Sequence, residues 1–233
     1  MNLNEAKEIL NNNGYFLKED ARRNNTDISD IFSLIDVHDW SPKWVSEKIM
    51  KHYYPPTVDY IDETNYKDYI GEYINVKENV DLERLNLTKL PIRFGTVGGN
   101  FYCGDNKLTS LEGAPNRVVG DFICGDNKLT SLEGAPKVVG GNFYCGDNKL
   151  TSLKGAPEKV GGSFDCEVNK LTSLEGAPKV VDGDFCCNDN YYLTSIKGAP
   201  KEIGKNFIIW NPNITLTKDE ILKVSNVKGK IEL

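Results

Sequence analysis

Few of the 233 residues could carry chemistry, and they are spaced in ways that chemistry rarely uses. The two histidines are His38, in Asp36-Val37-His38-Asp39, and His52, in Lys51-His52-Tyr53-Tyr54. They lack the spacing of metal ligands toward each other, so each reads as a structural histidine rather than as part of a metal or hydrolase centre. Five of the six cysteines, Cys103, Cys124, Cys145, Cys166 and Cys187, stand 21 residues apart, whereas a zinc site draws on thiols paired a few residues apart. Asp105, Asp126 and Asp147 repeat at the same interval, a ladder able to attract a cation weakly. There is no phosphate-cradling loop, no nucleophile elbow and no His-Glu-x-x-His. No catalytic residue, metal or cofactor is assigned, and the expected activity is non-enzymatic.

The period itself is the stronger signal. Between Val97 and Leu216 a single phrase recurs, clearest as Val118-Val119-Gly120-Asp121-Phe122-Ile123-Cys124-Gly125-Asp126-Asn127-Lys128-Leu129-Thr130-Ser131-Leu132-Glu133-Gly134-Ala135-Pro136. Phe101, Phe122, Phe143, Phe164 and Phe185 keep the interval, and Phe207 comes one residue late after an insertion at Tyr191-Tyr192. A fixed period of this kind predicts a solenoid. Phe-x-Cys is the alternation of a short strand with both side chains inward, between turn-forming Gly-Gly and Gly-Asp-Asn. Stacked coils would give seven parallel strands in one curved sheet, counting an atypical first coil at Val80. Asn106, Asn127, Asn148, Asn169 and Asn190 should point inward to satisfy the turn backbone. The Gly-Ala-Pro limb should be extended or 3₁₀.

Phe122-x-Cys124-x-x-Asn127-x-Leu129 resembles the core of the leucine-rich repeat, and Leu-Thr-Ser-Leu followed by Pro is similar to the short repeats of bacterial effector proteins of that family. One departure stands out: the apolar residue ahead of each aromatic (Val97, Val118, Val139, Val160, Val181, Ile203) lies four positions before it, where the family has three. The segment Gly140-Gly141-Asn142-Phe143-Tyr144-Cys145-Gly146-Asp147 superficially resembles calcium-binding nonapeptide repeats, but with the wrong period. After the last coil, Thr217-Lys218-Asp219-Glu220 reads as a capping box that opens a short helix.

Residues 1–75 lack the repeat. Leu3, Ala6, Ile9 and Leu10 form a helical stripe, as do Ile28, Ile31, Phe32 and Ile35. Ser41-Pro42 opens a third helix with Trp44, Val45 and Ile49, and a fourth is read around Asn65 to Ile74. The expected fold is therefore α+β: a helical acidic N-terminal domain (1–75), a parallel-β leucine-rich-repeat solenoid (76–216) and a short C-terminal cap with a helix (217–233). Leu3-Asn4-Glu5-Ala6-Lys7-Glu8-Ile9-Leu10 with Asn13-Gly14-Tyr15 is similar to the opening of phage proteins. With no apolar leader or membrane-length run, the chain is expected in the cytoplasm, that of the host if phage-encoded.

Residues 1–78 hold 9 Lys+Arg and 15 Asp+Glu, which leaves 19 and 19 of the 28 and 34 for the remainder. A nucleic-acid-binding protein would show a basic stripe instead, so nucleic acid is not expected as a partner. Solubility alone would explain the acidity; a basic protein partner would also exploit it. The residues flanking the inward pair of each coil are free to vary and should form a concave binding face. They are Tyr102, Ile123, Tyr144, Asp165, Cys186 and Ile208, joined by Asp121, Glu167 and Trp210. The expectation is a binding protein that acts through this face and the N-terminal domain to inhibit a host protein such as a defence component; an enzyme in the N-terminal domain with the solenoid as targeting module, or a small-ligand sponge, are the alternatives.

Overall fold

Each 21-residue period closes one coil, and each coil supplies two strands rather than one. The computed structural model describes residues 55–233, and these make up one unit, Pro55–Leu233. The three helices read over residues 2–54, with His38 and His52, lie outside the described residues.

The Phe-x-Cys segments form an eight-stranded parallel sheet: β3 (Val80–Asp81), β5 (Phe101–Tyr102), β7 (Phe122–Ile123), β9 (Phe143–Tyr144), β11 (Phe164–Asp165), β13 (Phe185–Cys186), β15 (Phe207–Ile208) and β17 (Ile231–Glu232). A second parallel sheet, of nine strands, consists of β1 (Thr57–Val58), β2 (Tyr73–Val76), β4 (Arg93–Val97), β6 (Arg117–Val118), β8 (Val138–Val139), β10 (Lys159–Val160), β12 (Val180–Val181), β14 (Glu202–Ile203) and β16 (Asn226–Val227). This corrects the single sheet of seven strands. The physical cause is the valine four residues ahead of each aromatic, which ends a strand of the second sheet before Gly-Gly turns the chain. That corner has no room for side chains: a Cβ on Gly140 would stand 2.1 Å from the Val119 carbonyl oxygen.

Between the sheets lies an apolar core in ladders. Phe101, Phe122, Phe143, Phe164, Phe185 and Phe207 are fully buried, with successive ring centroids 5.2–5.6 Å apart. Cys103, Cys124, Cys145, Cys166 and Cys187 pack beside them, also fully buried. Removing one such ring would cost about 3–5 kcal/mol. The Gly-Ala-Pro limb holds no helix or 3₁₀ segment and is entered through a type II turn, Leu111 to Ala114. The Ala114 N–H donates to the Leu111 carbonyl at 2.9 Å, with Gly113 at φ 93°, where glycine alone is unstrained.

The asparagine ladder faces inward as expected, and each member ties two coils together. Asn127 Nδ2 donates to the carbonyls of Cys124, Gly125 and, one coil back, Cys103, while its Oδ1 accepts from Leu108 N–H at 2.8 Å. The residue just before each asparagine takes positive φ. Asp105, Asp126, Asp147 and Asp189 do so at 51–52°, and Val168 does so at 49°.

The boundaries read from sequence shift at both ends. Strand β1 and all but the last residue of β2 lie in residues assigned to a helical domain, and of the helix read over Asn65 to Ile74 only a 3₁₀ turn, Tyr66–Tyr69, is present. Ile74 and Val76 are buried while Tyr73 and Asn75 are only half-buried, the alternation of a strand. At the other end α1 (Lys218–Leu222) has its capping box: Glu220 N–H donates to Thr217 Oγ1 at 3.3 Å and Thr217 N–H to Glu220 Oε2 at 2.8 Å. The helix is not a terminal lid, because β16 and β17 follow it and extend both sheets. The one-residue insertion at Tyr191-Tyr192 is absorbed at an exposed turn, so Phe207 stays in register with Phe185. Among the described residues no helix is long and apolar enough to cross a membrane.

Candidate interaction face

A strand whose alternate residues are buried must show the others to solvent, and in this solenoid those others line up. Parallel pairing sets Asp81, Tyr102, Ile123, Tyr144, Asp165, Cys186, Ile208 and Glu232 side by side on the outward face of the eight-stranded sheet. The six at its centre, Tyr102 to Ile208, are all half-buried, flanked by neighbours of the same row. Two residues on along each strand comes the row Glu83, Gly104, Gly125, Gly146, Glu167, Asn188 and Trp210. Trp210 is the most exposed of these large side chains, at 57%. The structure thus brings every residue expected at the site onto one face.

Three features were not legible from the repeat. The first is a second hydrogen-bond ladder, formed by the residue just before each strand. Asn79, Asn100, Asp121, Asn142, Ser163, Asp184 and Asn206 each accept, through a side-chain oxygen, the N–H of their counterpart in the next coil, ending on Lys230 N–H. Asp121 is therefore a structural residue as well as a surface charge, its Oδ1 2.6 Å from Asn142 N. The restriction of this position to Asn, Asp or Ser is the signal that could have revealed it.

The second is the use made of the glycine row. The Tyr144 ring lies across it, so that a Cβ on Gly125 would meet Tyr144 Cε1 at 2.0 Å. Tyr102 is held differently, accepting from Asn100 Nδ2 at 2.6 Å. Burial raises the Tyr144 phenol, and the carboxylates of Asp165, Asp147 and Asp126 raise it further.

The third is a cluster where two coils depart from the consensus. One ligand atom each of Asp165, Glu167 and Cys186 lie within 4.8 Å of one another, a set that could reach a single divalent cation. Their oxygens are also used internally: Asp165 Oδ1 accepts from Glu167 N–H at 2.9 Å, and Glu167 Oε1 accepts from Asn188 Nδ2. Burial, with the Glu167 and Asp147 charges adding to it, pushes Asp165 up to about 6. The Cys186 thiol is pushed up to about 12 by burial and then by Asp165 and Glu167. Cys186 is the only cysteine not fully buried, as its outward register implied, yet so high a pKa leaves it little thiolate at neutral pH.

Charge is distributed unevenly around the coil. Away from this face it is paired between neighbouring coils: Lys154 with Glu133, Lys159 with Asp182, Lys179 with Glu158 and Lys197 with Glu175. On the face itself Arg84 pairs with Asp105 at 3.0 Å, and among the described residues no ion pair reaches Asp81, Glu83, Asp165 or Glu167. A shallow groove over the Gly-Ala-Pro corner, lined by Ala114, Ala135, Ala156 and Val138, has only exposed polar residues at its rim. It lacks the convergent polar groups of a small-ligand site.

No protein-family model, curated protein or solved structure matches this chain.

Proposed function

We propose that the protein is a non-enzymatic binding protein that uses the outward face of its eight-stranded sheet to hold a basic surface of another protein. The observation that carries this reading is one row of large and acidic side chains, Tyr102, Ile123, Tyr144, Asp165, Cys186 and Ile208, with acidic groups left without ion-pair partners. Large aromatic anchors bordered by charge suit a protein interface. The phrase Phe-x-Cys-x-x-Asn-x-Leu resembles leucine-rich repeats, whose coils commonly serve as binding surfaces, and the opening of the chain is similar to phage proteins. Together they favour a host protein as partner, inhibited by occlusion of its own working surface.

The test is affinity capture from host lysate, with the full chain beside a variant carrying Tyr102→Ala, Tyr144→Ala and Trp210→Ala. One stoichiometric protein captured by the parent chain, and bound at least about thirty-fold more weakly by the variant, is expected, since an anchor is typically worth about 2 kcal/mol or more. Equal capture by both would refute the assignment of this face.

A further inference from the structure

Two coils of the solenoid carry the same acidic pair, at matching positions. In Asp81-Leu82-Glu83 and in Asp165-Cys166-Glu167 the aspartate lies in the outward row and the glutamate two residues on, in the row that is otherwise glycine. Both pairs are folded alike: Asp81 Oδ1 accepts from Glu83 N–H at 3.1 Å, and Asp165 Oδ1 from Glu167 N–H at 2.9 Å. The three rungs between them carry no charge in these two rows, with Tyr102, Ile123 and Tyr144 in one and Gly104, Gly125 and Gly146 in the other, the Tyr144 ring lying over Gly125. Neither pair belongs to an ion pair among the described residues.

Resting on the binding role assigned to this face, we propose that the patch between the two Asp-x-Glu pairs docks one amphipathic α-helix that lies along the solenoid axis, with a basic residue at each end of its apolar stripe. Geometry selects a helix over an extended peptide. Four rung spacings separate Asp81 from Asp165, about 19 Å at the usual ~4.8 Å each. A helical stripe at i, i+4, i+7, i+11 and i+14 covers about 21 Å in the same four steps. A strand running the same way presents side chains about 6.7 Å apart on one face and slips a whole rung within three steps. The face is wide enough, because the four residue steps from the Asn/Asp ladder to the glycine row span roughly 13 Å, against roughly 10–12 Å for a helix with its side chains. Gly104, over which no ring lies, lets the helix approach closely at the first of these rungs. Charge complementarity fixes the ends: a basic residue at i would meet Asp81 and Glu83, and one at i+14 would meet Asp165 and Glu167.

The probe is a synthetic 17-residue peptide with Arg at positions 1 and 15, Leu at 5, 8 and 12, and Ala and Gln elsewhere. Two isomers of identical composition serve as comparisons, one with the arginines seven residues apart and one with alternating strand-type order. Binding to the full chain is measured by fluorescence anisotropy at low and physiological salt, and peptide helicity by circular dichroism. The helix-ordered peptide should bind at least tenfold more tightly than either isomer and gain helicity on binding. D81N/E83Q and D165N/E167Q, which keep the internal hydrogen bonds, should each weaken it about tenfold. Equal binding of the isomers, unchanged affinity in both variants, or no binding by any peptide would overturn the helix. If the captured partner still depends on Tyr102, Tyr144 and Trp210 in that event, the binding role of the face stands without it; if it does not, both fall.

Discussion

Replacing Asn148 by Leu, a side chain of the same branching but without a hydrogen-bonding group, tests what the inward asparagines contribute to this fold. Asn148 is 9% exposed, and its Nδ2 donates to the carbonyls of Cys124 (3.1 Å), Cys145 (3.3 Å) and Gly146 (3.1 Å) while its Oδ1 accepts from Leu129 N–H at 2.9 Å. Each carbonyl keeps a second donor, Asn127 Nδ2 on Cys124, Asn169 Nδ2 on Cys145 and Asp126 N–H on Gly146, so the Leu129 N–H alone is left without a partner. At about 1–3 kcal/mol for that buried N–H and about 0.5 kcal/mol for each of the three carbonyl bonds lost, the loss is about 2.5–4.5 kcal/mol, offset by about 1 kcal/mol of added apolar burial. A net destabilisation of about 1.5–3.5 kcal/mol is expected from urea unfolding followed by far-ultraviolet circular dichroism. An interior rung should suffer more than a terminal one, because Asn148 ties two full coils together. A loss below about 1 kcal/mol would refute the assignment, since side-chain volume alone would then account for the position.

Two further substitutions bear on the coils that break the consensus. Val168 holds φ 49° where other coils place aspartate, a conformation that costs a β-branched residue about 1–2 kcal/mol, so Val168→Asn should raise the unfolding midpoint; an unchanged or lower midpoint counts against strain at this site. Asp165 has a folded pKa of about 6, above the ~4 of an unfolded chain, so the folded state holds the extra proton between these values. Its contribution to stability is therefore fully present below pH ~4, declines as the pH rises through about 6 and stays low beyond. Asp165→Asn should flatten that part of the melting-temperature profile and raise stability at pH 7, and superimposable profiles for parent and variant would exclude the effect.

How much of this was legible depends on whether the informative residues are near in sequence or only near after stacking. Phe122, Cys124, Asn127 and Leu129 fall within eight residues and announce their strand, their turn and their burial directly. The second sheet was hidden because Arg117-Val118 supplies too short a strand to show alternation, and only the early position of its apolar residue betrayed it. Tyr66, Tyr69, Ile70, Tyr73 and Ile74 fit a helical stripe as well as a strand entry, and pairing with β4 decides for the strand. The outward row followed from the period alone. The paired motifs of Asp81 and Asp165 did not, because only stacking puts four coils of chain within one helix length. The direction of the Tyr144 ring, across Gly125 rather than toward Asn142, is a matter of packing that no spacing encodes.

The turn that accommodates Tyr191 and Tyr192 sets what this architecture can absorb. Asn188 Oδ1 still receives Trp210 N–H at 2.7 Å and Asp184 Oδ1 still receives Asn206 N–H at 2.9 Å, each across 22 residues where other coils use 21. The pitch of the stack is thus fixed by the sheets and ladders, while the perimeter of a coil is adjustable at this corner. Both tyrosines are exposed, so the bulge disturbs no neighbour. That makes the corner a natural port for grafting: a loop, label or epitope inserted between Tyr191 and Tyr192 would project into solvent while every rung before and after it keeps its phase.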